Sequence, residues 1–550
     1  MNDARITMIM LAALFFGFEV NALDYYWKAA NGTEGFFETS GNWMIDGVPV
    51  GSGYPGENDT IFCTNGPQKI IFTTPGATNK LTAISLNRIS YTKNQQIEID
   101  LNGGELQVSG LIAMKASRYE GVVRPYLFVT NGTLHAGGGI ACAGGDNNYR
   151  GYFKANGPNT KVFSNGNISS LGAGSRVEIE NGAEVTFLNG YPLLSNGVGS
   201  SYNEENNLAK FIVQGEGTCL VSTNGFRVCT SCRMSIRDKA KAFFSNYARA
   251  AQYGRQDRSS VGVDLGGTLS GQAEFEVDDA EVSITNGASI MIAESDRCGL
   301  INHMLTLKNN AKFNFAGSSM VNLAYTQSQS NLITNNQIRV FSGSRLSSDG
   351  NTAASGTTTI GSIVVGSGTG GQIFENGIHV SNGVVSVNGI CLSSSEYCSN
   401  NWIRIEGAQS RVLLNKPFAN PSDLPNNVYV AALGLYNRSR VEFLIGEGGF
   451  ENPPIECTTE VGRIYGSQTE DKRAKIVVED RGFAKRHPGV TVTLIKTINA
   501  LNRPYLEQLA ADSIVIAERE KDVGKVSVSA DGMSLQYTSP HKDGLVVIFF

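Results

Sequence analysis

The sequence predicts an all-β solenoid, a single-stranded parallel β-helix with a cap at each end. A phrase of alternating apolar residues, an Asn-Gly or similar pair and further alternating apolar residues recurs along the chain, as VEIENGAEVTF at 177–187. Neighbouring copies lie about 24 residues apart, or about 31 to 40 where a loop is inserted, which suits the rungs of a β-helix. The 550 residues include 63 Gly, only 15 Pro and 17% charged residues, a composition typical of short strands and frequent turns.

The first 22 residues predict a cleaved signal peptide. Arg5 precedes an apolar run at 6–18, and the small residues Val20 and Ala22 suit a signal peptidase. The run of about 13 apolar residues is shorter than the roughly 20 needed to span a bilayer. We therefore expect a mature chain that begins at Leu23, has no transmembrane segment and is exported to the periplasm, the cell surface or the medium.

The remaining chain divides by where the phrase occurs. Residues 23–80, rich in aromatic and turn residues, are predicted to form an N-terminal cap and first rung, and residues 81–450 carry the repeats. Residues 451–550 are predicted to form a β-rich C-terminal cap with strands near 490–495, 514–517, 525–530, 534–537 and 545–549 and a short helix over 504–511. Caps are expected because an open end of a β-helix is an unpaired sheet edge.

The Asn-Gly pairs are expected at the corners of the rungs. Asn and Gly tolerate the left-handed backbone conformation that a tight turn requires, and Asn side chains stacked in successive rungs can bond to one another. A sugar-binding ladder of asparagines is the alternative interpretation of the same residues.

The nine cysteines do not indicate a metal site. A second half-phrase recurs, as LGAGS at 171–175, and aligning its copies places Cys142, Leu171 and Cys229 at the same position of the rung. The segment 229–232 is therefore predicted to be a core cysteine followed by a turn residue. A zinc or redox site at this single CxxC is the alternative. Cys391 and Cys398 flank a Ser-rich loop and are predicted as a possible disulfide, since an exported chain meets an oxidising compartment.

Catalytic residues are not predicted. Asp278 and Asp279 are the best candidate carboxylates, but they occupy the turn of the repeated phrase and are interpreted as a turn pair. The five histidines are scattered without metal-ligand or catalytic spacing, and no phosphate-binding loop is present, so no cofactor is expected. The net charge of −5 and the lack of a basic stripe argue against nucleic acid as a partner.

The inserted loops are the predicted interaction surface, because long loops on a solenoid commonly carry binding. Four such loops lie at 191–207, 247–258, 324–337 and 416–428. The loop at 247–258 supplies the candidate binding residues Tyr247, Tyr253, Arg255, Asp257 and Arg258. The alternative is that all four are solvated insertions.

The chain resembles the autotransporter-passenger-like, PEP-CTERM-associated repeat proteins of Verrucomicrobia-, Lentisphaerae- and Planctomycetes-type bacteria. Three groups of residues carry the resemblance: Trp27, Gly41-Asn42-Trp43, Pro55, Asp59 and Phe62; the half-phrases Gly172-Ala173-Gly174-Ser175 and Asn181-Gly182-Ala183; and the closing segments 526–535 and 544–549. The resemblance implies a right-handed β-helix that is secreted or displayed at the cell surface. It departs from autotransporters in that only about 100 residues follow the repeats, too few for a membrane β-barrel.

Two functions follow from these observations. The first is a structural or adhesive protein without catalytic activity, which contacts extracellular polysaccharide or cell-envelope components through its loops. The second is a polysaccharide lyase or glycoside hydrolase of the pectate-lyase-like type. Carboxylates, basic residues and aromatic sugar platforms along one sheet would favour the second, whereas a featureless Ser/Thr/Asn face would favour the first.

Overall fold

The computed structural model describes most of the chain and shows an all-β protein built of long, mostly parallel sheets. The described residues are 22–28, 34–63, 68–87, 95–115, 125–142, 151–171, 174–195, 208–228, 232–245, 248–253, 273–285, 290–295, 300–315, 321–326, 332–348, 361–368, 370–415, 432–460, 462–519 and 523–541. The predicted signal peptide, apart from Ala22, and the predicted strand at 545–549 lie outside them.

The strands of each repeat pair in parallel with the equivalent strands of the repeats before and after, which produces three long ladders. Ladder 1 contains Glu34–Phe36, Gln68–Ile71, Gln95–Asp100, the first halves of Pro125–Ala136 and Tyr152–Ser164, Arg176–Glu180, Ala209–Gln214, Cys232–Arg237, Ala273–Asp278, Met304–Lys308, Gln337–Phe341, Gly377–Ser381, Trp402–Glu406, Arg440–Gly446, Lys475–Arg481 and Ile514–Ala517. Each repeat continues from this ladder, through a tight turn, into the next.

Ladder 2 belongs to the same sheet as ladder 1, since two long strands run through the corner between them. It contains Thr78–Leu81, Glu105–Val108, the second halves of the two long strands, Glu184–Phe187, Cys219–Ser222, Lys241–Ser245, Glu281–Thr285, Lys312–Phe315, Arg345–Ser347, Val384–Val387, Arg411–Leu414, Ile455–Cys457 and Thr491–Thr497.

Ladder 3 is a separate sheet. It contains Asp24–Trp27, Thr60–Cys63, Ala83–Asn87, Ile112–Lys115, Ile140–Cys142, Ile168–Leu171, Pro192–Ser195, Phe226–Val228, Ala248–Tyr253, Ile290–Ser295, Val321–Thr326, Ser362–Gly368, Gly389–Leu392, Leu433–Leu435 and Ile464–Gly466. A short fourth ladder, Leu300–Ile301, Leu332–Thr334, Gln372–Phe374 and Cys398–Ser399, follows ladder 3 in four successive repeats.

The two ends of the described chain depart from parallel pairing. At the N-terminal end Trp43–Ile45 pairs antiparallel with both Asp24–Trp27 and Val48–Pro49, and Trp27 and Trp43 are buried against each other. At the other end Lys525–Val528 and Ser534–Thr538 form an antiparallel extension of Thr491–Thr497. The parallel pairing continues past residue 450, where the sequence predicts the cap to begin, as far as Ile514–Ala517.

Helices occur mainly near the C-terminal end. Helix α1 is Phe483–Arg486 and helix α2 is Arg503–Ala511, which confirms the predicted helix at 504–511. Short 3₁₀ turns are Ser40–Asn42, Glu470–Lys472 and Ala500–Asn502. Within the described part of the chain, no helix has the length and hydropathy needed to cross a membrane.

Apolar residues that point inward alternate with outward residues along each strand, and the inward residues together form one continuous core. In Tyr152–Ser164, for example, Phe153 and Ala155 are fully buried, while Tyr152 and Lys154, which alternate with them, are half-buried. Inward residues of the three ladders meet in this core: the ring of Phe226 in ladder 3 packs at a tilt against Phe244 of ladder 2 and Phe275 of ladder 1, with centroids 4.7 and 4.8 Å apart. Burial of these inward residues is the main stabilising contribution, about 1.5–3 kcal/mol for each large side chain.

Asparagines at the turns adopt the predicted left-handed conformation. Asn131, Asn181 and Asn309 have φ values of 55°, 56° and 55°. Asn181 also donates through Nδ2 to Oδ1 of Asn156 in the preceding repeat, at 2.7 Å. The turn interpretation of these residues is therefore confirmed, and such bonds tie adjacent rungs together.

A buried row of polar side chains runs between the short fourth ladder and ladder 1. His303, Asn336, Asn376 and Asn401 each directly precede a ladder 1 strand and are fully buried. The backbone N–H of each residue donates to Oδ1 of the next asparagine in the row: His303 to Asn336, Asn336 to Asn376, and Asn376 to Asn401, at 2.9–3.0 Å. The row supplies hydrogen-bond partners for backbone that turns a corner inside the core, where water cannot do so.

Candidate functional site

The candidate binding loop at 247–258 is only partly described. Tyr253 is the last residue of strand Ala248–Tyr253, which pairs with Phe226–Val228 and Ile290–Ser295 in ladder 3. Part of the predicted loop is therefore strand. Tyr247, Arg255, Asp257 and Arg258 lie outside the described residues, so their role as binding residues stays a prediction.

The described cysteines are free thiols. Cys391 and Cys398 are both buried and not bonded to each other in the structure, and burial raises their pKa values to about 12 and about 11. A buried thiol with a raised pKa holds little thiolate at neutral pH and reacts slowly. A disulfide between Cys391 and Cys398 stays a prediction.

The predicted register of the cysteines in ladder 3 is wrong by one residue. Cys142 is level with Ser170, not Leu171, and Ser170 is level with Leu194. Cys229 lies outside the described residues, and Cys232 is the buried first residue of a ladder 1 strand. The length of the corner before each strand shifts the register, and sequence alignment of the half-phrases does not detect a one-residue shift.

Asp278 and Asp279 form the predicted turn. Asp278 ends its strand, contacts Lys308 Nζ at 3.3 Å and accepts a hydrogen bond from Asn309 Nδ2 at 2.7 Å, while Asp279 has a φ of 48°. Both residues therefore have structural roles at the corner.

The outward face of ladder 1 carries a row of aromatic and charged side chains. Between the buried positions, outward residues of adjacent strands stand level with one another. Tyr126 is level with Tyr152 and Arg176; Phe128 is level with Lys154 and Glu178. We refer to Tyr126, Phe128, Tyr152, Lys154, Arg176, Glu178 and Glu180 as the aromatic–carboxylate patch.

Three half-buried aromatic rings form one end of the patch. The Tyr126 and Tyr152 rings meet edge to face with centroids 5.0 Å apart, and the Phe128 and Tyr152 rings do so at 5.6 Å. Lys154 Nζ lies 5.9 Å from the centroid of Phe128, and the Arg176 guanidinium lies 5.7 Å from that of Tyr152. The cations and the ring edges hold the rings in place.

Two carboxylates lie beside these rings. Glu178 accepts a hydrogen bond from the Tyr152 hydroxyl and forms an ion pair with Arg176. Glu180 forms an ion pair with Lys154 and accepts a hydrogen bond from Gln214 Nε2 at 2.7 Å. Being two residues apart on one strand, Glu178 and Glu180 point to the same face with their Cα atoms about 6.6 Å apart.

The carboxylates are almost fully covered. The residues Glu178 and Glu180 are only 4% and 8% exposed. Burial, and secondly the negative charge of Glu180, raises the pKa of Glu178 to about 7. The charged forms are held by protein partners rather than by water, so these groups position Tyr152, Arg176 and Lys154 more directly than they offer themselves to a ligand.

Ion pairs between neighbouring strands continue along the same face. Lys308 Nζ lies 3.2 Å from Glu276 and 3.3 Å from Asp278, and Arg404 Nη2 lies 2.7 Å from Glu442. Opposite charges on level positions of adjacent strands favour this pairing over a slipped register. The other clusters lack the three adjoining rings that mark the aromatic–carboxylate patch.

Sequence reasoning missed this patch. The alternation within each strand does reveal which residues point outward. Aligning residues 126–130, 152–156 and 176–180 at the turn that follows each would have brought Tyr126, Tyr152 and Arg176 level.

No three His, Cys, Asp or Glu side chains in the described ranges come together as a metal-binding group. Comparisons of the chain with protein-family models, with curated proteins and with solved structures found no match.

Proposed function

We propose that this protein is an exported right-handed parallel β-helix of the autotransporter-passenger-like type, displayed at the cell surface or released, which binds polysaccharide without cleaving it. The observation that carries the binding proposal is the aromatic end of the patch, formed by Tyr126, Phe128 and Tyr152 on the outward face of ladder 1.

The order of the connections supports the proposed right-handed winding. A repeat passes through ladders 1, 2 and 3 before its chain returns to pair in parallel with its own ladder 1 strand. Crossover connections between parallel strands of one sheet are right-handed in roughly 98% of cases, because the strand twist favours that direction. Three faces per turn and right-handed winding define the proposed coil.

Export rests on the sequence of the first 22 residues, and surface display rests on the resemblance described above. Fractionation of the producing cells, with N-terminal sequencing of the recovered chain, tests both. We expect the chain outside the cytoplasm with Leu23 as its first residue. Recovery from the cytoplasm with residues 1–22 intact would overturn the export proposal.

Aromatic side chains suit sugar binding because the apolar face of a pyranose ring packs against a flat apolar surface while polar neighbours bind its hydroxyls. The patch has both kinds of group. Lys154 and Arg176 have side chains 24% and 38% exposed, so their N–H groups remain within reach of a ligand. The positive groups at the surface and the buried carboxylates together favour a neutral or acidic polysaccharide.

Polysaccharide cleavage is the second candidate, favoured by one observation. Glu178 has a pKa of about 7, and Glu180, two residues away, offers a second carboxylate on the same face, so the two residue types that glycoside hydrolysis needs lie side by side. Against it, both carboxylates are covered and occupied by Tyr152, Arg176, Lys154 and Gln214. A catalytic acid must reach the glycosidic oxygen, so we favour binding.

Pull-down with a panel of insoluble neutral and acidic polysaccharides tests the binding proposal. We expect Tyr126→Ala to weaken binding by roughly 5- to 30-fold, since a lost ring contact costs about 1–2 kcal/mol, and Tyr126→Phe to bind like the unchanged chain. Tyr397→Ala is the matched control, because Tyr397 is an exposed aromatic, 40% exposed, away from the patch. Equal binding by the two alanine variants would reject the patch as the binding surface.

An assay for reducing or unsaturated sugar ends, run on the same panel, tests cleavage. We expect no product. Product that disappears in Glu178→Gln or Glu180→Gln would replace the binding proposal by the hydrolase or lyase.

A further inference from the structure

A cavity separate from the patch lies between helix α2 and the last strand of ladder 3. Its volume is about 200 Å³. Its lining includes the cation Arg463, the rings of Tyr465 and Tyr505, the amides of Gln468 and Gln508, and apolar residues described below. Pockets for drug-sized ligands occupy roughly 300–1,000 Å³, so this cavity has room for one small molecule.

The walls of the cavity are fixed before any ligand binds. Asn502, 2% exposed, accepts the backbone N–H of Ile464 at 2.9 Å and donates to the carbonyl of Gly462 at 2.9 Å. Tyr505 is 7% exposed and packs over Gly466, where a Cβ atom would lie 1.7 Å from the tyrosine oxygen. A preformed site loses little conformational entropy on binding.

The electrostatics of the cavity select an anion. Arg463 is the one charged residue among those that line it in the described chain, and it is exposed. Its Nη1 donates to the Tyr465 hydroxyl at 2.6 Å, and no carboxylate of the described residues lies within ion-pair distance of it. A guanidinium without a carboxylate partner presents the planar fork of donors that binds a carboxylate through two hydrogen bonds.

The remaining lining suits a polyhydroxylated ligand. Gln508 Nε2 is buried and has no hydrogen-bond partner among the described residues, so this amide retains donor capacity. Leu501, 69% exposed, and Pro504 add an apolar wall at the opening. Amide and phenol groups beside apolar surface are the usual environment of a bound sugar ring.

We propose that this cavity binds one hexuronate unit, the carboxylate-bearing sugar of acidic polysaccharides, with its carboxylate on Arg463. The choice of a sugar among small carboxylates rests on the proposed polysaccharide function. The site itself does not depend on the aromatic–carboxylate patch, because the two share no residue.

Titration calorimetry of the whole chain with glucuronate and galacturonate tests the proposal, with methyl glucoside and acetate as the neutral and sugar-free probes. We expect saturable binding of at least one uronate, and binding of the other two probes at least tenfold weaker. Arg463→Gln should weaken uronate binding by roughly 10- to 100-fold, the loss typical of a charge-assisted hydrogen bond. Lys472→Gln, a nearby exposed residue with the same change of charge, is the control and should bind like the unchanged chain.

The outcomes separate this site from the patch. Retention of uronate binding by Tyr126→Ala, together with its loss in Arg463→Gln, supports the cavity whatever the polysaccharide pull-down shows. No saturable uronate binding, or binding unchanged by Arg463→Gln, overturns the proposal. Acetate binding as tight as uronate binding also overturns it, because the cavity would then recognise a carboxylate alone. Circular dichroism of each variant checks that it has folded.

Discussion

The buried row of asparagines makes a quantitative prediction about stability. Asn376 is fully buried at its centre, and its Oδ1 accepts hydrogen bonds from the backbone N–H of Asn336 at 3.0 Å and from Asn336 Nδ2 at 2.9 Å. Its own Nδ2 donates to Asn401 Oδ1 and to the carbonyl of Ile333, both at 3.1 Å. The change Asn376→Ala removes the whole amide while leaving the backbone N–H of residue 376 bonded to Asn401.

The magnitude follows from the groups that lose a partner. Two donors of Asn336 lose the acceptor they share, in a place that is closed to water. A buried polar group that loses its hydrogen bond costs about 1–3 kcal/mol, so the loss of the acceptor for the backbone N–H of Asn336 alone should lower the free energy of unfolding by about 1–3 kcal/mol. An isolated polar substitution at the surface costs no more than about 0.5 kcal/mol.

Urea unfolding followed by circular dichroism measures this change, and amide hydrogen exchange locates it. The control is Asn189→Ala, which removes an exposed amide that donates to Asn165 Oδ1 at 3.1 Å in the preceding repeat. We expect the exchange of residues 332–347 and 372–406 to accelerate in Asn376→Ala and not in the control, because each repeat contacts mainly its neighbours. Equal unfolding free energies for the two variants would refute the reasoning.

Two further predictions concern pH. Burial lowers the pKa of His303 to about 3, and its Nδ1 accepts the backbone N–H of Ala273 at 2.9 Å, so the folded chain holds it neutral. In the unfolded chain His303 takes up a proton below about pH 6.5, so its contribution to stability is complete above that pH and is lost as the pH falls towards 3. Urea unfolding should therefore show that the unchanged chain loses about 2 kcal/mol more than His303→Asn between pH 6.5 and 5. An identical pH dependence in the variant would contradict this. Burial raises the pKa of Glu178 from 4.5 to about 7, so its contribution is complete below pH 4.5 and is lost as the pH rises through 7. The stability of Glu178→Gln relative to the unchanged chain should therefore rise between about pH 4.5 and 7, and a constant difference in melting temperature across that range would contradict the burial argument.

Much of the fold was predictable because it depends on patterns within one repeat. The alternation of apolar residues assigns inward and outward positions of a strand such as Arg176–Glu180, and Asn181-Gly182 marks the corner after it. Four of the five strands predicted near the C-terminus, and the helix, match the structure within a few residues, while the fifth, at 545–549, lies outside the described residues. The cap boundary at residue 450 was not, because the parallel pairing continues through strands that lack the Asn-Gly phrase.

The register between strands of different repeats could not be predicted from the local sequence pattern. Corners and loops of different length separate the strands, and a one-residue difference changes which residues stand level. That is why Cys142 was aligned with Leu171 rather than with Ser170, its partner in ladder 3.

By itself, then, the sequence determined the class of fold, the faces of each strand and the turn residues, since these follow from side-chain period and local backbone preference. Only the tertiary structure decided which outward residues meet. Tyr126, Tyr152 and Glu178 lie 26 residues apart at each step and come together because their strands pair. Asn336, Asn376 and Asn401 lie 40 and 25 residues apart and form one row for the same reason. Both proposed binding sites and the buried row depend on contacts between repeats, whose geometry is set by the pairing of strands from successive repeats.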